Sequence, residues 1–214
     1  MPTAERNPIA STAGRVLHRA AGYDLVVWLW TLGRERTFRE KLLSFAGLTS
    51  GESVLDIGCG TGTLAIAAGR QVGPTGRVYG IDASPEMIAR AERKAKRAGA
   101  KIRLQNAIAE SLPFPDAQFD AVLSTVMLHH LPRPARARLV AEARRVLRPG
   151  GRLLVIDFAK PAAPRPRGIL GHLHRHGHIG LDEVLAMVSE AGLHVQRSGD
   201  VGTSDLQFVL ATKP

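Results

Sequence analysis

Cysteine is nearly absent from this chain: Cys59 is the only one among 214 residues, so no internal disulfide can form. Long apolar runs are missing as well. The most apolar stretch near the start, Leu25 to Leu32, is far too short to span a bilayer, and the first residues lack the layout of a signal peptide. These absences lead to the expectation of a cytoplasmic protein. No repeats and no linker interrupt the chain, and its length suits one domain with a sizeable core. Acid is in short supply. Lys and Arg number 29 against 19 Asp and Glu, a net charge of +10. Such a field favours nucleic acid, an anionic membrane surface or an acidic substrate, and a generally arginine-rich surface would give the same sum.

What is present is organised around Ser53-Val54-Leu55-Asp56-Ile57-Gly58-Cys59-Gly60-Thr61-Gly62. The apolar half reads as a buried parallel strand, and Leu64, Ala67, Ala68, Gln71 and Val72 follow at helical spacing. Glycines between a strand and a helix let the backbone approach a ligand beside the helix N-terminal amides. The dinucleotide fingerprint would place glycine at position 63, where threonine stands, so the pattern leans away from a pyrophosphate cofactor. A second strand, Arg77 to Asp82, ends in an acid 24 residues after Gly58. A carboxylate there can accept hydrogen bonds from both ribose hydroxyls of a nucleoside.

Helix and strand alternate beyond this point. Ser84-Pro85-Glu86 forms a helix start, with Met87, Ile88, Ala91, Ala95 and Ala98 as its inward stripe. Strands are expected at Ile102 to Gln105, Ala121 to Thr125 and Arg152 to Phe158, with a helix from Pro134 whose arginines need only be a solvated face. After a helix at Asp182 to Ala191, two strands without a helix between them (His194 to Arg197, Leu206 to Ala211) should pair antiparallel. The expected fold is a doubly wound α/β sheet with its ligand at the carboxyl ends of the strands.

The glycine stretch and Asp82, with Leu112-Pro113-Phe114, Phe119-Asp120-Ala121-Val122 and Val146-Leu147-Arg148-Pro149-Gly150-Gly151, resemble the class I S-adenosylmethionine-dependent methyltransferases. Within that class they are most similar to the branch of the ubiquinone/menaquinone biosynthesis C-methyltransferases. The likeness covers roughly residues 50 to 160. It implies a Rossmann-like sheet of seven strands, mostly parallel with an antiparallel last strand. It also implies a helical lid at 1–48 ahead of an S-adenosylmethionine-binding domain at 49–214.

The resemblance assigns roles. Gly58, Cys59, Gly60 and Gly62 would border the methionyl part of the cofactor, and Asp56 would reach its ammonium group. Asp82 would take the ribose hydroxyls, while Ala83 and Met87 would border the adenine. The family commonly has Gly-Asp-Ala-Glu after the third strand; here it is Ala107-Ile108-Ala109-Glu110, and Ile108 cannot accept from the adenine amino group. The amide of Ala109 could still serve a ring nitrogen. Ser124 and Thr125 end the fourth strand, where the quinone branch has a cofactor-contacting serine.

Methyl transfer from a sulfonium needs no metal and no covalent intermediate, so groups that bind and align should dominate. His129 and His130 follow the fourth strand and are candidates for a general base toward an oxygen acceptor, or for pocket lining. Tyr23, Trp28 and Trp30 lie in the lid segment and either line an acceptor pocket or pack it onto the sheet. His172, His174, His176 and His178 alternate, so in an extended segment they would share a face. A basic lid for an anionic acceptor, a solvated loop or a transition-metal site are the readings open to them, and carboxylate or cysteine neighbours at ligand spacing are lacking; no metal is expected.

The leading expectation is an enzyme methylating a small molecule, lipid-like or anionic, with peripheral contact to an anionic membrane among its options. RNA methylation is the alternative that the charge suggests. Against it, Ser124-Thr125-Val126-Met127 stands where many amino-methylating nucleic-acid enzymes carry Asn/Asp-Pro-Pro-aromatic. A cofactor-binding protein without catalysis is the third reading, disfavoured by the intact glycine stretch.

Overall fold

The computed structural model describes residues 12–14, 33–159, 178–202 and 205–214. Val54 to Ile57 shows no alternation, as a strand covered on both faces requires, and all four residues of this part of β1 (Ser53–Ile57) are buried. Around β1 the chain builds α2 (Thr63–Val72), β2 (Arg77–Asp82), α3 (Pro85–Arg97), β3 (Ile102–Asn106) and β4 (Phe119–Thr125). A single-turn 3-10 helix at Leu128–His130 leads to α4 (Arg133–Val146), β5 (Leu147–Phe158), α5 (Leu181–Glu190), β6 (His194–Asp200) and β7 (Leu206–Thr212). One further helix, α1 (Glu35–Ala46), precedes β1.

The seven strands form one sheet in the order β3-β2-β1-β4-β5-β7-β6. β1 to β5 are parallel, and β7 runs antiparallel between β5 and β6. The order reverses between β1 and β4, and a crevice therefore opens there above the carboxyl ends. One face packs Leu55, Ile57 and Val122 against Leu139, Val140 and Val188 of α4 and α5. The other packs Val54, Leu123 and Leu154 against Leu42 and Leu43 of α1 and Leu64 and Ala68 of α2.

The helix that sequence places in the lid segment, α1, is thus part of this core. Arg152 of β5 ties its end down. Its guanidinium donates to the carbonyls of Ala46 and Gly47 and makes a two-pronged pair with Glu52 at 3.0 and 2.7 Å. The expected start of α3 is present: Ser84 Oγ accepts from the amide of Met87 at 3.2 Å, and Pro85 follows as the first helical residue.

Arg138 of α4 is exposed, as a solvated face requires, but Arg136 and Arg145 differ from that expectation. Arg145 donates to the carbonyls of Leu112 and Phe114 and pairs with Glu142 and Asp116, while Glu142 accepts from the amide of Leu112. Together they pin the irregular 107–118 segment to α4. Arg136 donates to the carbonyls of Leu128 and Leu131 and pairs with Glu183 of α5 at 2.8 Å, which fixes the turn after β4. Among the described residues no helix is long and apolar enough to cross a membrane, and no group of three or more His, Cys, Asp and Glu is arranged to hold a metal.

Candidate active site

The turn after β1 uses glycine three times. Gly58, Gly60 and Gly62 all have φ between 53° and 78°, the left-handed region. A β-carbon on Gly58 would lie 2.4 Å from Met127 Cγ, so the loop after β4 rests directly on this glycine. A β-carbon on Gly62 would meet Ala91 Cβ at 2.9 Å, so this glycine sets how closely α2 approaches α3. Gly62 therefore serves helix packing and does not border the cleft described below.

Asp82 fastens the turn. One carboxylate oxygen accepts from the amide of Gly60 and the other from that of Ser84, both at 2.9 Å. Burial pushes its pKa up, and these two backbone bonds pull the other way. Each carboxylate oxygen has two lone-pair sites, so both can take a ligand hydroxyl as well.

A cleft enclosing about 730 Å³, part of it open to solvent, lies over the carboxyl ends of β1, β2 and β4. Gly58, Gly60, Asp82, Ala83, Met87 and Ala109 form one half of its wall. Thr125, Met127, His130 and Leu131 form the other. Ile108 is buried outside the lining, as is Ser124. Val126, in the lining between Thr125 and Met127, has φ 54°, an unusual conformation for a β-branched residue, held by its amide donating to Ile156 O at 2.7 Å.

The short N-terminal piece adds Thr12 and Gly14 to the lining. Thr12 Oγ1 and the amide of Ala13 donate to Glu110 Oε1 at 2.7 and 3.1 Å, and Gly14 sits against Leu131. Sequence reasoning singled out neither Thr12 nor Glu110 for this contact, because 98 residues separate them.

The two candidate histidines part company. His130 lines the cleft, whereas the His129 side chain is fully buried behind it. His129 Nδ1 lies 2.6 Å from Asp157 Oδ1 and its amide donates to the other carboxylate oxygen at 3.1 Å, so ring and backbone are both fixed by β5. The two imidazoles pack with centroids 4.0 Å apart. Asp157 was not visible as a site residue, since Val155-Ile156-Asp157-Phe158 reads simply as a strand.

Asp56 and Cys59 face a smaller cavity on the far side of the glycine turn, with Gly58 and Thr125 shared between the two spaces. Asp56 is buried, and burial raises its pKa from 3.8 to about 7; Arg39 counters this, Asp82 adds to it, and the Ala65 amide in the first turn of α2 counters it. Cys59 is tucked against Gly80, where a β-carbon would come within 3.0 Å of its sulfur, and burial holds the thiol protonated. Tyr23, Trp28, Trp30, His172 and His174 lie outside the described residues.

A seven-stranded sheet of this order, with a glycine turn after β1 and an acid ending β2, defines the class I methyltransferase fold. Comparison with known proteins narrows the class to a family. Residues 54–151 match a family model described as a methyltransferase domain, and the chain is homologous to the S-adenosylmethionine-dependent methyltransferases. It is 41% identical over 147 residues to the ubiquinone/menaquinone biosynthesis C-methyltransferase UbiE of Hahella chejuensis, covering 68% of this chain and 58% of that protein. It is 33% identical over 204 residues to an uncharacterized 37.1 kDa protein in a Streptomyces fradiae transposon, covering 89% of this chain and 58% of that protein. Among solved structures, an S-adenosylmethionine-dependent methyltransferase from Aquifex aeolicus superposes with a TM-score of 0.70 at 29% identity, over 82% of this chain and 89% of that one. The chain spans somewhat under two thirds of the length of the curated relatives it matches.

The residues present fit the family's cofactor. Asp82 has acceptor capacity for a ribose, Ala83 and Met87 offer a small apolar wall for a base, and Asp56 Oδ2 is a buried acceptor with no hydrogen-bond partner among the described residues.

Proposed function

We propose that this protein transfers a methyl group from S-adenosylmethionine to a small-molecule acceptor by in-line displacement. The observation that carries the reading is the division of the cleft. The ribose-ready Asp82 stands on one side of the glycine turn, and Met127, His130 and Leu131 stand on the other. Thr12 and Gly14 in the cleft lining, tied to Glu110, favour a small acceptor over a polymer.

The cofactor, when bound, supplies an already activated methyl group, and the chain's own residues bind and align. Asp82 holds the ribose, and the turn brings backbone close enough to fix the methionyl end. Met127, seated on Gly58, and Thr125 form the boundary between donor and acceptor sides. Holding the reactants in line is worth roughly 7–11 kcal/mol of barrier. His130 is placed to take a proton from a hydroxyl acceptor, with His129 and Asp157 as the rigid backing that fixes its position. An already nucleophilic carbon or a neutral amine needs mainly alignment for the attack, and His130 would then shape the wall. The mixed lining, apolar with one imidazole, suits a lipid-like or weakly acidic acceptor.

The test is a labelled-methyl transfer screen against small molecules, lipids and RNA from the same lysate. Label in a small-molecule or lipid fraction is expected. Label confined to RNA would replace this reading with nucleic-acid methylation, and calorimetry showing no binding of S-adenosylmethionine would overturn it.

A further inference from the structure

The surplus of positive charge is not spread evenly over the fold. Arg93, Lys96 and Arg97 are exposed on the second half of α3, and Lys101 and Arg103 are exposed where β3 begins. A tight turn joins the two groups, with the amides of Gly99 and Ala100 donating back to Lys96 O and Ala95 O. Val78 pairs with Ile102 in the parallel ladder, which sets the exposed Arg77 beside Lys101. A β-carbon on Gly69 of α2 would touch Ile102 Cγ2 at 3.4 Å, so the exposed Arg70 that follows reaches the same corner. Between residues 70 and 103 the exposed acids are Glu92 and, at the far end of α3, Glu86. Acids at the amino ends of β1 and β4 are already paired, Glu52 with Arg152 and Asp120 with Arg148. Cations in the last turn of a helix offset its dipole, which accounts for Lys96 and Arg97. It does not account for Arg77, Lys101 or Arg103, which stand off the helix. Like charges gathered in this way repel one another and raise the local potential, which draws a polyanion.

We propose that this corner docks the phosphate backbone of duplex nucleic acid, as a tether separate from the methyl-transfer site. Most of its cations are arginines, whose planar fork matches phosphate oxygens. Nothing large and apolar accompanies them. Among the described residues the exposed large hydrophobic side chain is Val195, on β6 at the opposite edge of the sheet. Stable attachment to a membrane draws on inserted apolar side chains as well as charge, and a protein interface is built around an apolar or aromatic centre. This corner has neither. Proteins that hold single strands stack bases on aromatic rings, but Tyr79, the ring nearest Arg103, is buried beneath it. The backbone of a duplex is held by charge and needs no such platform. The corner lies at the amino ends of β2 and β3, whereas the cleft lies over the carboxyl ends of β1, β2 and β4. Nucleic acid bound here therefore leaves the cleft open to a small acceptor and is not itself methylated.

Fluorescence anisotropy of a labelled DNA duplex, titrated with the full chain at several salt concentrations, tests this. Binding is expected, with log K falling linearly in log salt by about 0.9 for each phosphate neutralised. Arg77→Gln, Arg93→Gln, Arg97→Gln and Lys101→Gln combined should lower the affinity by roughly 10-fold or more and reduce the salt slope by about 3 to 4. Urea unfolding should give a midpoint close to wild type, since all four side chains are exposed. Should the combined variant unfold, Arg93→Gln and Lys101→Gln taken singly should each reduce the slope by about one. Saturating duplex should leave the affinity for S-adenosylhomocysteine unchanged. No duplex binding by the wild type at low salt, or an unchanged slope in the variants, overturns the proposal. Competition between duplex and S-adenosylhomocysteine overturns it as well, because the polyanion would then sit in the cleft. Flotation with phosphatidylserine vesicles in the absence of duplex binding would make the corner a membrane contact instead.

Discussion

Replacing Asp56 by Asn should make the cofactor-free protein more stable and the cofactor weaker to bind, with a pH dependence that identifies the cause. In the fold, Asp56 is buried and its pKa is raised from 3.8 to about 7. Burial is the largest cause; the guanidinium of Arg39 on α1 lowers the value, Asp82 on β2 raises it, and the amide of Ala65 on α2 lowers it. Cys59 also faces this carboxyl and stays a thiol. Because the folded value lies above the unfolded one, the native state holds a proton that the unfolded chain has released. Stability therefore falls as pH rises from about 4 to about 7 and is level beyond. A gap of roughly 3 pH units at about 1.4 kcal/mol each amounts to about 4 kcal/mol, an upper bound because water and side chains relax around the charge. Asparagine cannot ionise and escapes this cost. About two of those units lie between pH 5 and 7, so the stability difference between the variant and the wild type should grow by roughly 2–3 kcal/mol from pH 5 to pH 8. Urea unfolding of both proteins without cofactor at several pH values measures it, and other titrating groups cancel in the difference. A difference that stays constant across this range would refute the reasoning, since Asp56 would then not be holding a proton in the fold.

Three more perturbations follow from the same geometry. Asp82→Asn removes the charged acceptor that the Gly60 and Ser84 amides and the ribose would share, so binding of S-adenosylhomocysteine should weaken by about 1.5–3 kcal/mol in calorimetry, and unaltered affinity would take Asp82 out of the site. Gly62→Ala must adopt φ near 78° and push against Ala91, so urea unfolding should show a loss of about 1–3 kcal/mol; a neutral effect would mean that α2 and α3 can separate freely. Arg152→Met breaks the tie to Glu52 and to the end of α1. Burial, the largest single influence, would raise the Glu52 pKa, but the bonds to Arg152 and to Thr49 together outweigh it and hold the carboxyl below its ordinary value. That stabilisation is present above the ordinary carboxylate pKa and is lost as pH falls through the folded value, so the variant's deficit in unfolding free energy should shrink from pH 6 toward pH 3.

What the sequence displayed and what it hid divide along the distance between interacting residues. The glycine stretch, Asp82, the Ser84 cap and the strand order rest on neighbours in the chain or on a repeated β-α period, and local chemistry suffices to read them. Asp157 meets His129 across 28 residues, Arg145 meets Leu112 across 33, and Thr12 meets Glu110 across 98. No periodicity reports such pairings. Arg136 and Arg145 of α4 looked like part of a solvated face because their partners, Glu183 and the 107–118 segment, are supplied by other parts of the fold.

Arg39 is a different case, because its signal was local and was masked by its surroundings. Arg34, Glu35, Arg36, Glu40 and Lys41 surround it, and such a segment reads as a charged outer surface. Yet Arg39 precedes Leu42 by three residues and Leu43 by four, which places it inside the stripe that α1 buries and not beside it. A charge within an apolar stripe is costly at that position unless something meets it, and the cost is a pointer to what the fold binds. The same logic applies to Asp56, an acid inside an otherwise apolar strand. Each alone is a curiosity of composition. The sheet places both on the walls of one cavity, so two local departures from apolar burial, 17 residues apart, meet in one place in the fold.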